Sequence, residues 1–90
     1  MINGCSIVIP IFNEEKNIIK LKNLINEKFK LKNYEIIFVD DNSKDNSKKV
    51  LKKISQKNVR HFIRREKNDL CQSCFLGIKK SKYNIIVIMD

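Results

Sequence analysis

The chain has no glycine-rich phosphate loop. Its 90 residues include two glycines and one proline, and neither G-x-G-x-x-G nor a P-loop pattern occurs. Phosphate would have to be handled another way, most simply through a divalent ion held by carboxylates. Scarce proline and glycine, with 42% hydrophobic residues, also exclude global disorder. Cysteine is sparse and odd in number: Cys5, Cys71 and Cys74. That is no disulfide framework, and it fits a reducing compartment. Cys71-Gln-Ser-Cys74 has the spacing of a metal or redox pair, but there is no second pair, and the lone His61 is distant in sequence. The two cysteines read as small apolar residues on the buried face of a helix, and His61 as packed or exposed rather than catalytic. Nothing in these 90 residues reads as a signal peptide, and the apolar run 85–89 is far shorter than the ~20 residues of a membrane span.

Acidic residues are also in deficit, 10 against 19 basic ones, for a formal charge of +9. That excess suits a polyanionic partner: nucleic acid, nucleotide phosphates or an anionic membrane surface. The bland alternative is a set of helices solvated by lysine.

What the sequence does contain is a series of apolar runs that end on polar groups. Ile36-Ile37-Phe38-Val39 is β-branched and aromatic, as in a strand buried on both faces of a parallel sheet. It stops at Asp40-Asp41 and passes through Asn42-Ser43-Lys44-Asp45-Asn46-Ser47, rich in turn and capping residues. Ser6-Ile7-Val8-Ile9 is an earlier strand, closing at Pro10, which cannot donate to a ladder. Asn13 is placed to cap a helix from about Glu14 to Lys28, with Glu14 and Glu15 in its first turn and Ile18, Leu21, Ile25 and Phe29 as its stripe. Lys30 to Asn33 connects it to the central strand. A second helix turns Val50, Leu51 and Ile54 inward. Arg60 to Arg64 is a short strand with Phe62 facing away from His61 and Ile63. Asp69 can cap a third helix, Leu70 to about Lys80, whose inward set is Leu70, Cys71, Cys74, Phe75 and Ile78. Asn84 to Met89 is a last apolar strand, ending at Asp90.

The order is β-α-β-α-β-α-β, and every connection is long enough for a right-handed parallel crossover. That is the pattern of an α/β nucleotide-binding domain, with ligands bound beyond the carboxyl ends of the strands.

Three segments also resemble a known family, the family 2 glycosyltransferases. Ile7-Val8-Ile9-Pro10-Ile11-Phe12-Asn13-Glu14-Glu15 is similar to the family's opening V-I-P-x-Y/F-N-E-E. Phe38-Val39-Asp40-Asp41-Asn42-Ser43-Lys44-Asp45 resembles its V-D-D-G/N-S-x-D. Ile86-Val87-Ile88-Met89-Asp90 looks like the strand leading into its D-x-D motif. The branch most resembled is the polyprenyl-phosphate (dolichyl-phosphate) mannosyl- or glucosyltransferases.

The resemblance implies a Rossmann-like GT-A nucleotide-sugar-binding half with a parallel sheet of order 3-2-1-4. It implies that residues 1–90 are one partial domain, the N-terminal part of a longer catalytic domain. Pro10 and Asp41 would contact the nucleoside, with Glu14 beside them. Asp90 would be the first D-x-D aspartate, near a divalent metal (Mg2+ or Mn2+) and the diphosphate. Arg65 either faces the diphosphate or is a surface base; Asp41 is either a ligand contact or a turn residue, and Asp40 either holds the turn or meets the ligand. The substrate implied is a nucleotide-diphosphate sugar. The acceptor would be polyprenyl phosphate at the cytoplasmic membrane face, with peripheral membrane association, and the chemistry metal-assisted inverting displacement.

One loop departs from the family: in Arg65-Glu66-Lys67-Asn68-Asp69-Leu70-Cys71, Asp69 and Cys71 stand where glycines are usual. That leaves the donor sugar open. The last strand would be an edge, its third helix would have little to pack against, and the isolated fragment is expected to be inactive and to associate or partly unfold.

Two other functions compete. A receiver-type phosphoacceptor would use Asp40 and Asp41 as its acidic pair and Asp90 as the phosphorylated residue. In a receiver, however, the pair ends the first strand, and here a whole strand-helix unit precedes it. A basic nucleic-acid binder would need aromatic residues interleaved with the charges from Lys44 to Lys67, and that interleaving is lacking. No nucleic-acid partner is therefore expected.

Overall fold

A computed structural model describes residues 2–29 and 33–89. The strands are β1 (Ile2–Ile11), β2 (Tyr34–Asp41), β3 (Val59–Arg64) and β4 (Tyr83–Ile88); the helices are α1 (Ile18–Lys28), α2 (Ser47–Ile54) and α3 (Leu70–Lys80). All strand pairs are parallel, in the order β3-β2-β1-β4. This is the expected topology. The connection expected at Lys30 to Asn33 falls largely outside the described residues.

Strand alternation divides the core into two sides. Cys5, Ile7, Ile9 and Ile11 of β1 and Ile36 and Phe38 of β2 meet Ile18 and Ile25 of α1 and Leu51 of α2. The opposite face belongs to α3, which packs on β1 and β2. The helix expected to have little to pack against therefore rests on two strands. Its inward face also differs from expectation. Ser73 and Gly77 are buried, whereas Leu70, Cys71 and Phe75 are exposed and Cys74 and Ile78 are half-buried. The reason is close approach. A Cβ on Gly77 would collide with Val8 Cγ1 and lie 3.2 Å from Val39 Cγ2. The helix sits too near the sheet for large side chains at its contact line, so the apolar stripe turns sideways and outward.

Helix α1 also starts later than expected, at Ile18, with no acidic residue in its first turn. Asn13 does not cap it. Asn13 sits in the left-handed region at φ 54°, a conformation Asn tolerates, and its side chain is engaged elsewhere. Asp69 does cap α3 as expected, accepting from Gln72 N at 3.2 Å.

Strand β4 is an edge among the described residues, and Ile85, Val87 and Ile88 are exposed. At the amino end of the sheet, Glu35 is 1% exposed. Its carboxylate accepts from Ser6 Oγ at 2.7 Å, Arg60 Nε at 2.9 Å and Lys82 N at 2.9 Å, joining all four strands' ends. Burial alone would raise this carboxyl, but the hydrogen bonds from Ser6, Lys82 and Arg60, with the guanidinium charge, outweigh it and hold it below the ordinary glutamate value.

A depressed folded value stabilises the fold above the unfolded value, about 4.3, and that contribution disappears as pH falls through the folded value. Denaturant unfolding across acid pH should show this loss. Glu35→Gln should flatten that part of the profile and lower stability at neutral pH by about 1–3 kcal/mol.

Candidate functional site

The carboxyl ends of β1, β2 and β3 form one rim. Pro10 pairs in register with Val39, and Asp41 pairs with Arg64. Two-residue alternation then puts Pro10, Val39 and Asp41 on the α3 side of the sheet.

Asp41 is 4% exposed and ties this rim together. Its Oδ1 accepts from Arg64 Nη1 at 2.5 Å, Ser73 Oγ at 2.9 Å and Asp69 N at 3.1 Å. Oδ2 shares the Asp69 N–H at 3.0 Å, and the Asp41 carbonyl accepts from Asn68 Nδ2 at 2.5 Å. The guanidinium is itself secluded, its side chain 9% exposed, and also donates to the Lys67 carbonyl. One carboxylate thus fixes the end of β3, the β3–α3 loop and the first turn of α3. Asp69 stands where the family has glycine and needs no glycine here: its φ of −160° is extended backbone.

Asp40 points to the other face and is fully buried. Its Oδ2 accepts from Ser43 N at 2.9 Å, so of its two expected roles it takes that of holding the turn; Oδ1 has no partner among the described residues. The two motif loops are sewn together beside it. Asn13 N donates to Ser43 Oγ at 2.9 Å, and Asn13 Oδ1 accepts from Lys44 N at 2.8 Å. Glu14 N donates to Ser47 Oγ at 3.0 Å, and Glu15 N to Asp45 Oδ2 at 3.3 Å. Asp45 is held below the ordinary aspartate value: some burial raises it, but hydrogen bonds from Ser47 and the Glu15 N–H prevail.

The expected site residues separate into groups. Pro10 and Glu14 line a groove of about 450 Å³ with Phe12, Ile18, Leu24 and Leu70. The Glu14 carboxylate accepts from Asn17 Nδ2 at 2.7 Å. Asp41 lies behind the rim, outside that groove's lining. Arg65 is exposed on the loop after β3. Its neighbour Arg64, not singled out from the sequence, is the arginine paired with Asp41; strand parity was the signal that could have found it. Phe12, 44% exposed in the groove, was missed as well. Asp90 lies outside the described residues.

His61 is not at the rim: its Nδ1 is 2.6 Å from Ser55 Oγ. Burial pushes its imidazole below the ordinary value, opposed by the Asp40 charge and aided by Lys52.

The described residues do not fit a divalent ion. No cluster of three or more candidate ligands occurs among them, and Asp41 is already neutralised by Arg64.

The model of glycosyl transferase family 2 matches residues 6–90. This chain belongs to that family. Its relatives include the chondroitin synthase of Escherichia coli, 36% identical over 93 residues, covering 100% of this chain and 13% of that protein. The dolichol-phosphate mannosyltransferase of Pyrococcus furiosus is 34% identical over 86 residues, covering 94% and 24%. Among solved structures, S. aureus TarS (residues 1–349) superposes with a TM-score of 0.78 at 23% identity, covering 96% of this chain and 26% of that one. The family member described here therefore has the GT-A sheet order and spans between about an eighth and a quarter of those relatives' lengths.

Removing the Asp41 carboxylate strands the Arg64 charge in a secluded place. Asp41→Ala should lower unfolding free energy by about 3–5 kcal/mol, measured in urea. A change under about 0.5 kcal/mol, as for ordinary surface positions, would contradict the hub.

Proposed function

We propose that this chain is the nucleotide-binding part of a longer glycosyltransferase that moves a sugar from a nucleotide-diphosphate donor to polyprenyl phosphate. The observation that carries the reading is the meeting of Pro10, Phe12 and Glu14 in one groove beside the strand end that bears Asp41. The share of each relative covered supports a longer catalytic domain. Relatives named as dolichol-phosphate and undecaprenyl-phosphate transferases support the lipid acceptor. A TarS structure in complex with UDP supports a nucleotide ligand.

The residues have distinct tasks. Phe12 offers an exposed ring on which a base can stack. Asp41 Oδ2 takes one shared hydrogen bond where Oδ1 takes several, so it keeps acceptor capacity for an N–H of the base. Pro10 closes the slot with a rigid, donor-free backbone. Arg65 is available to the diphosphate from its exposed loop. A divalent ion would neutralise the leaving diphosphate; its expected holder is Asp90. In the transfer, the acceptor oxygen forms a bond to the anomeric carbon, the bond to the diphosphate breaks, and the configuration inverts. A lipid phosphate, with a second pKa of about 6, brings its own anionic nucleophile.

NMR titration with UDP and GDP tests the binding claim. One of them should shift the resonances of Pro10, Phe12 and Asp41, and Phe12→Ala should weaken binding by about 1–3 kcal/mol. In the longer protein, labelled sugar should appear in polyprenyl phosphate. Absence of shifts with both nucleotides would overturn the nucleotide reading; transfer only to a non-lipid acceptor would overturn the acceptor.

A further inference from the structure

Cys71-Gln-Ser-Cys74 is a sequence motif that the groove and the rim leave unused. Its thiols were expected against the core. Instead Cys71 is exposed and Cys74 half-buried, while Ser73 takes the buried position between them. Both cysteines lie near the start of α3, three residues apart. Helical residues at that spacing share a face, with Cβ atoms about 5–6 Å apart. Helix rise and radius put the two Cα atoms about 5 Å apart, inside the range of a disulfide, about 4.4–6.8 Å. The Cβ atoms must close by roughly 1–2 Å. The first turns of helices can tighten to the 3₁₀ form, in which residues i and i+3 eclipse and so approach.

The pair does not suit a resident metal. It supplies two ligands, and no group of three or more candidate ligands occurs among the described residues. Two thiols on one accessible helix face, without a third ligand, suit oxidation instead. The third cysteine marks the contrast. Cys5 lies in the core, 3% exposed, and burial pushes its thiol up, which keeps it protonated and out of reach.

We infer that Cys71 and Cys74 form a reversible disulfide, made by exchange with a small anionic disulfide of the glutathione class. The exposed Cys71 thiolate attacks one sulfur of the oxidant, a mixed disulfide forms, and the first thiolate leaves. The Cys74 thiolate then attacks the Cys71 sulfur, and the second thiolate leaves. Two electrons pass from the cysteine sulfurs to the oxidant, and the two thiol protons end on its two thiol products. The net charge of +9 draws an anionic oxidant toward the chain. Tightening the turn strains the bond, so excess reduced glutathione opens it again. The bond clamps the turn that carries Ser73 onto Asp41 and Leu70 onto the groove. None of this requires the transferase reading.

Incubation of the folded chain with glutathione disulfide, then alkylation, digestion and mass spectrometry, tests the assignment. The product should be lighter by two hydrogens, with the new bond between Cys71 and Cys74, and excess reduced glutathione should restore both thiols. Cys74→Ser should stop at a stable glutathione adduct on Cys71, and Cys71→Ser should lose the fast reaction. Cys5 reacts only when the core opens, so it should be modified at least about a hundredfold more slowly than Cys71. Circular dichroism confirms that the variants remain folded, and the unsubstituted chain decides the matter without them. No reaction, a product that keeps glutathione, a bond between two chains in place of the internal one, a bond that reduced glutathione does not open, or Cys5 labelling as fast as Cys71 would each overturn the inference.

Discussion

The Asp41 carboxylate governs the architecture of the rim. It lies at the carboxyl end of β2, out of water, and it gathers a guanidinium, a hydroxyl and a loop N–H. Charge-assisted hydrogen bonds in so secluded a setting are strong individually and costly to leave half-made. Each donor comes from a different piece of chain: Arg64 from β3, Asp69 from the loop, Ser73 from α3. Because Ser73 must reach Asp41, α3 presents its small residues to the sheet. Gly77, one turn on, then lets the helix descend onto Val8 and Val39. The exposure of Leu70 and Phe75 follows from that choice and not from any want of apolar character.

The second constraint is the clasp between the loops after β1 and β2. Asn13, Ser43, Asp45 and Ser47 spend side-chain oxygens on backbone N–H groups of these two loops: Lys44, Asn13, Ser47 and Glu14 respectively. The motif residues that look most like ligand binders in the sequence are thus largely fasteners. Their fastening leaves Pro10 and Phe12 presented at the groove, which is the part of the motif free to meet a base. Chemistry and stability share one short segment, with Asp40 holding the turn beneath it through Ser43.

Much of this was legible beforehand because it depends on local rules. Apolar runs ending in polar turns mark the strands, the length of each connection makes them parallel, and Asp69 before Leu70 marks a capped helix whose bounds, Leu70–Lys80, match the expectation; the strand order comes from the family resemblance instead. The failures share a different cause: tertiary partners took over side chains that local rules assign elsewhere. Asn13 looks like a cap until Lys44 N claims its oxygen. The stripe on α3 looks buried until the distance from helix to sheet is known. Arg64, which no local rule sets apart from its neighbours, is distinguished only by its cross-strand pairing with Asp41. The family was legible in another way, as a resemblance carried by three contiguous motifs in order, and the match of the family model over residues 6–90 shows it.

Native-state hydrogen exchange of the Asp69 amide tests the central claim most directly. That amide sits in an exposed, charged loop, yet it is shared by both oxygens of a buried carboxylate. It should exchange only when the whole domain opens, at the rate of the β2 amides. Exchange as fast as its loop neighbours Glu66 and Lys67 would show that the carboxylate does not hold this loop.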